Sequence, residues 1–161
     1  MSDYSFMKTG FNNLVEPPKL SDEEMRNIEA MLALFMTNAV KDALTYAELS
    51  NRNHVTKEDI RYGLRYEVFE FLNTENLIDK VNDMNDELDE MDEDEDDYED
   101  LDDVIVNDQD LVPFKRIDDT SNLDGEELDF VNKMNNYYDN WDNWIPDTPM
   151  LQILKNAIDK T

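Results

Sequence analysis

Asn38-Ala-Val-Lys-Asp-Ala-Leu-Thr-Tyr-Ala-Glu-Leu-Ser-Asn-Arg-Asn-His-Val-Thr-Lys-Glu-Asp-Ile-Arg-Tyr-Gly-Leu-Arg65 reads as the end of a long helix, a short polar loop and a second helix opened by Thr56. The second helix begins Thr-x-x-Asp, so the Thr56 side chain is placed to cap the amide of Asp59 while the Asp59 carboxylate reaches back. Arg52 stands seven residues before Asp59. That spacing suits an arginine–carboxylate clamp fastening the loop to the helix, with Arg52, Thr56 and Asp59 as its parts.

Working backwards, Ser21-Asp-Glu-Glu24 is a second capping box, and acidic residues in a first turn suit the helix dipole. From there Met25, Ile28, Leu32, Phe35, Met36, Ala39, Val40, Ala43, Leu44 and Ala47 recur three and four apart. The pattern predicts one uninterrupted helix of about 29 residues, roughly 43 Å long, with a broad apolar face. Before it, Pro17-Pro18 forces an extended connection. Tyr4, Phe6, Met7, Phe11, Leu14 and Val15 fit a short amphipathic helix over residues 4–15, interrupted near Gly10.

Working forwards, Ile60, Leu64 and Tyr62 face the core, and Val68, Phe69, Phe71 and Leu72 continue its apolar patch. Thr74 is placed to cap a further helix in which Leu77, Val81, Met84, Leu88 and Met91 form a heptad-like stripe. Asp86–Asp103 is low-complexity acid, fourteen of its eighteen residues being Asp or Glu. Self-repulsion and scarce apolar side chains predict disorder there. Val104-Ile-Val and Leu111-Val-Pro-Phe read as short extended segments. A helix is expected around Leu128, Val131 and Met134, followed by Tyr137, Tyr138, Trp141 and Trp144. Asp147-Thr148-Pro149 then starts a last helix with Met150, Leu151, Leu154 and Ile158 on its apolar face. Because it carries both tryptophans, this tail is expected to dock on something.

The 161 residues suffice for one ordinary domain with tails, or for two small units. The formal net charge is -27 and unevenly spread. Residues 1–78 hold 13 acidic and 8 basic side chains, a balance of -5, whereas residues 79–161 hold the other 28 and 6, a balance of -22. The asymmetry predicts a folded module carrying an acidic interaction tail. The expected division is a helical module at 1–72, an amphipathic helix at 73–91, an acidic tract at 86–110 and a docking segment at 111–161. The absence of cysteine excludes disulfides and thiolate metal sites. With a single histidine, His54, a zinc-type site is not expected; that residue reads as a solvent-facing bystander. The acidic run lacks the glycine and ligand spacing of a calcium loop. No metal, no cofactor and no catalytic residue is expected, since the three glycines form no phosphate cradle and no nucleophile–base pair stands out. The N-terminus lacks a signal-peptide layout, and no apolar run approaches the roughly 18 residues of a membrane span. A soluble intracellular protein is expected, with no membrane partner.

A short helix, a very long one and another short one cannot close a core alone. The long helix offers apolar surface on both sides of its midpoint, and a crossed second copy is the simplest cover.

The Asn38–Arg65 stretch resembles the histone-fold family, closest to core histone four and to histone-fold TATA-binding-protein-associated factors. The matching positions are Asn38, Asp42-Ala43, Thr45-Tyr46, Glu48, Arg52, Val55-Thr56, Asp59, Tyr62 and Leu64, with Lys41, Ile60 and Arg65 as conservative variants. The likeness spans residues 5–66, strongest at Arg52–Asp59 and weakest before Ser21. It implies an all-α histone fold followed by an additional helix, the acidic tract and a small helical, aromatic C-terminal segment. It also implies pairing with a second histone-fold protein through Leu32, Phe35, Met36, Ala39, Val40, Ala43 and Leu44.

The departures from the family bear on function. DNA-wrapping histones present Lys and Arg to phosphates from their loops. Here the second loop reads Ser50-Asn-Arg-Asn-His54, with asparagines flanking the arginine, and the first reads Leu14-Val-Glu-Pro-Pro-Lys19. Direct DNA binding is therefore expected to be weak or absent, and Arg52 is either a structural staple or a minor-groove arginine. The tract Asp92-Glu93-Asp94-Glu95-Asp96-Asp97-Tyr98-Glu99-Asp100 sets an aromatic anchor in dense negative charge. It is either a solvated tail or a cover for a basic surface such as that of histones, with attraction that weakens with salt.

The resulting expectation is a non-enzymatic histone-fold subunit that heterodimerises in a chromatin or transcription-related complex. Its place would be the nucleus, entered with a partner because Lys115-Arg116 is only a pair. The alternatives are an acidic histone chaperone or DNA mimic, or a structural or genome-packaging component of a large DNA virus, in a viral factory or virion.

Overall fold

The computed structural model describes residues 19–93 and 111–161. They form five α-helices: α1 (Asp22–Leu49), α2 (Lys57–Glu70), α3 (Leu77–Glu93), α4 (Gly125–Asn140) and α5 (Pro149–Asp159), with a short 3-10 turn at Phe71–Asn73. The described chain is all-α, with no strand among the described residues. The helix expected over 4–15 lies outside them, as do Val104–Val106 and Asp94–Asp100. No described helix is long and apolar enough to cross a membrane.

The caps follow from local chemistry. In α1 the Glu24 amide donates to Ser21 Oγ at 3.2 Å and the Ser21 amide donates to Glu24 Oε2 at 2.8 Å. Two amides that a helix start leaves orphaned are thereby satisfied. At 28 residues α1 extends about 42 Å. It ends where Asn51 takes φ 60°, a left-handed geometry that asparagine tolerates better than most residues. Thr56 and Asp59 form the same reciprocal box at the start of α2. Thr148 caps α5, with Pro149 in its first turn. Asp124 caps α4 by accepting from the amides of Glu126 and Glu127, both at 3.0 Å.

Two expectations shift. α3 begins at Leu77 rather than at Thr74, because Asn76 sits at φ 53° and breaks the register. It also continues to Glu93, into the stretch expected to be disordered. Ahead of that stretch Val81 and Met84 pack against the core cluster that contains Leu34, and Asn85 Nδ2 donates to Asn27 Oδ1 at 3.1 Å; within it Arg26 pairs with Asp89 at 3.4 Å.

α1 packs on α2 and α3, and α2 packs on α4 and α5. α1 and α2 approach closely at Gly63, where a Cβ would stand 2.1 Å from the carbonyl oxygen of Ala39. Two clusters make up the core. One joins Leu34, Phe35, Ala39, Leu64 and Phe71 to Trp141 and Ile158; the other joins Tyr46 and Tyr62 to Ile117, Val131 and Met134. Residues 111–161 thus supply in cis a cover for one side of α1 and α2. On that side the cover comes from the same chain rather than from the crossed second copy expected.

Candidate pairing surface and loop staple

The apolar pattern of α1 divides into two sectors. Met25, Ile28, Leu32, Met36, Val40 and Leu44 are each 43–54% exposed, and they follow one another three or four residues apart along the whole helix. Side chains at that spacing lie on one face, so they form a continuous aliphatic and methionine stripe open to solvent. A contiguous patch of this kind is uncommon on the surface of a monomeric protein. The expected pairing residues split accordingly. Leu32, Met36, Val40 and Leu44 lie on the open stripe, while Phe35, Ala39 and Ala43 are buried within the chain. Phe35 meets Phe71 edge to face at 5.5 Å, and Ala39 is the floor for Gly63. These three are therefore inaccessible from outside.

The loop residues come together as a tight unit. Arg52 Nη1 and Nη2 donate to Asp59 Oδ2 and Oδ1 at 2.6 and 2.5 Å, and Nε donates to Ser50 Oγ at 2.8 Å. Thr56 adds its amide and hydroxyl to Asp59 Oδ2 at 2.7 and 2.6 Å. Burial opposes the charge on Asp59, but the Arg52 and Thr56 donors outweigh it and hold the carboxyl below the usual range. Only 5% of Arg52 is exposed, and its guanidinium lies 5.4 Å from the ring centre of Phe114. In this arrangement every Arg52 side-chain nitrogen is committed inside the chain, and none is presented to a phosphate.

Phe114 belongs to a strap, residues 111–120, that crosses this loop without helix or strand. Its ring stacks on Tyr46 at 6.1 Å and tilts on Tyr62 at 5.0 Å. The Tyr46 hydroxyl donates to Asn135 Oδ1 at 2.8 Å and accepts from the Ile117 amide at 3.0 Å, while Asn135 Nδ2 donates to the Ile117 carbonyl at 2.9 Å. Arg116 grips Asp139 through two bonds of 2.7 Å. His54, half-buried rather than free in solvent, places Nε2 2.8 Å from the Val112 carbonyl.

The α4 face continues this seam. Tyr138 stacks on Tyr62 at 4.0 Å and donates to Glu58 at 2.5 Å, and the Tyr137 hydroxyl donates to Glu70. Trp141, fully buried, donates its indole N–H to Asp159 at 2.6 Å, and Arg65 lies over the rings of Tyr138 and Trp141. Sequence reading marked the aromatics of 137–144 as a docking group but missed Phe114, Arg116, Asn135 and Gly63. Asn135 and Arg116 carry no periodic signal, and Gly63 could be recognised only as an unexplained glycine inside a helix.

Of the acidic tract, Asp92 and Glu93 lie in the last turn of α3, and Asp94–Asp100 fall outside the described residues. Among the described residues no group of His, Cys, Asp or Glu is arranged to hold a metal ion. What this arrangement offers chemically is a closed aromatic seam on one side of α1 and an open apolar stripe along the other. Compared with family models, with curated proteins and with solved structures, the chain matches none.

Proposed function

We propose that this chain is a non-enzymatic histone-fold subunit that heterodimerises with another histone-fold protein in a chromatin or transcription-related complex. The open stripe from Met25 to Leu44 carries the reading: six apolar side chains stay exposed on a 28-residue helix although the chain has built a core on the other side of that helix. The stapled loop and the capped α2 support it as the parts that fix the helix pair in the resembling family. The partner in this reading is basic. A second copy would bring together two chains of net charge -27, and the acidic tract would cover a positive surface beside the pairing helix. DNA contact by this subunit is weak or absent, in line with the internal commitment of Arg52.

The test is a pull-down from native extract with the partner identified, run in parallel with a Leu32→Asp, Met36→Asp, Val40→Asp variant. A histone-fold partner is expected with the natural chain and none with the variant. A well-folded monomer that captures no such partner, or a variant that captures it equally, sinks the reading. A second reading, an acidic histone chaperone or DNA mimic, draws on the fourteen carboxylates of Asp86–Asp103. Replacing Asp92–Asp100 carboxylates by amides separates the two. Loss of histone binding with pairing intact favours the chaperone, and retention of both favours the subunit.

A further inference from the structure

Asp42 on α1 and Glu67 on α2 face each other across the seam that Ala39 and Gly63 bring together. Glu67 is 5% exposed and accepts one bond from Asn38 Nδ2 at 3.3 Å. The Asp42 carboxyl is within hydrogen-bonding reach of Glu67, yet its Oδ2 is sealed from water without any donor among the described residues. Two ionised carboxylates cannot bond each other, and a buried acceptor without a donor costs roughly 1–3 kcal/mol. A proton held between them resolves both problems: Asp42 becomes the donor, Glu67 the acceptor, and the pair carries one charge rather than two.

The surroundings supply little to stabilise a second charge. On α1 the neighbours are Asn38 and Lys41, and on α2 they are Tyr66 and Glu70. From α4, Tyr137 donates to Glu70, and Lys133 stands 3.8 Å from Glu70 but 3.1 Å from Asp129. No guanidinium or ammonium group is bonded to Asp42 or Glu67 among the described residues. Glu70 adds negative charge beside them.

We propose that Asp42 and Glu67 form a proton-operated clasp between α1 and α2, closed while one proton is shared and released when it is lost. Burial first, then the hydrogen bond and charge of Glu67 and the charge of Glu70, push the Asp42 carboxyl up to about 8 from its ordinary 3.8. Burial likewise raises Glu67, against the donors that it accepts. Between those values the folded chain holds a proton that the unfolded chain has lost. Stability from the clasp is complete below pH 4 and disappears as pH rises towards 8. This is opposite to the contribution of Asp59, whose lowered carboxyl stabilises the fold above its ordinary range and loses that effect as pH falls.

The test is urea unfolding of the full chain from pH 5 to pH 9, natural and Asp42→Asn, with the Asp42 carboxyl carbon of the natural chain followed by NMR. The asparagine amide keeps a donor towards Glu67 and removes the titration. The natural chain is expected to lose up to about tenfold in folding equilibrium constant per pH unit relative to the variant. The variant is expected to be the more stable of the two at pH 8, and the Asp42 resonance is expected to titrate near that pH. Parallel pH curves, or an Asp42 resonance that titrates below pH 5, overturn the proposal. The resonance decides it even where the variant fails to fold.

Discussion

The two sides of α1 are built from the same raw material and meet different fates. On one side Phe35, Ala39, Ala43 and Tyr46 vanish under α2, the strap and α4; on the other, Leu32, Met36, Val40 and Leu44 stay half in water. The covered side is aromatic, and its polar tips are satisfied one by one, Tyr46 by Ile117 and Asn135, Trp141 by Asp159. The open side is aliphatic and methionine-rich and carries no such polar handles. The contrast teaches that an apolar period on a helix announces a cover without saying which chain provides it. Aromatics whose hydroxyls and N–H groups find partners in cis mark the cover already in place. Plain, adaptable side chains make up the face that stays half in water among the described residues.

The contrast is breakable by experiment. The largest effect is expected on the closed side. Trp141→Ala removes a fully buried ring that joins Leu34, Phe35 and Leu64 to α5, at a cost of about 3–5 kcal/mol in urea unfolding. A loss under about 1 kcal/mol would mean that residues 111–161 do not form part of the core. Gly63→Ala comes next, because its Cβ would sit 2.1 Å from the Ala39 carbonyl oxygen and force α1 and α2 apart. A destabilisation of about 2–3 kcal/mol is expected from thermal unfolding. The smallest effect belongs to the open side. Leu32→Ser, exposed by 54%, should move the stability of the isolated chain by no more than about 0.5 kcal/mol. A cost of several kcal/mol there would show the stripe to be covered in the isolated chain.

Much of the frame was legible because it depends on neighbours in sequence. Ser21 with Glu24, Thr56 with Asp59 and Thr148 before Pro149 are caps whose partners lie within three residues. The Arg52–Asp59 clamp spans seven residues across one short loop, and the structure brings those groups to 2.5 Å. The rest depends on distance along the chain. The Tyr46 hydroxyl finds Ile117 at 71 residues and Asn135 at 89, separations over which periodicity carries no information. The seven residues expected at a pairing surface split because a broad apolar face does not say which sector turns inward. Ala39 and Ala43 held the hint, since small side chains on a long helix permit a second backbone to come near. α3 runs two residues past its expected end at Met91, to Glu93.

The long span between Tyr46 and its partners also sets a schedule. During synthesis α1 and α2 are complete once Glu70 has emerged, but the far side of the seam is finished only with Ile158. At about 5–20 residues per second, the intervening stretch of roughly 90 residues takes on the order of 5–20 s to make. Until Phe114, Ile117, Asn135 and Tyr138 have been made, Tyr46 and Tyr62 lack the cover that those residues give them, although α2 and α3 already pack on α1. The newborn protein therefore exposes aromatic surface that the finished one hides, and a helper or partner that arrives early meets a different molecule from one that arrives late.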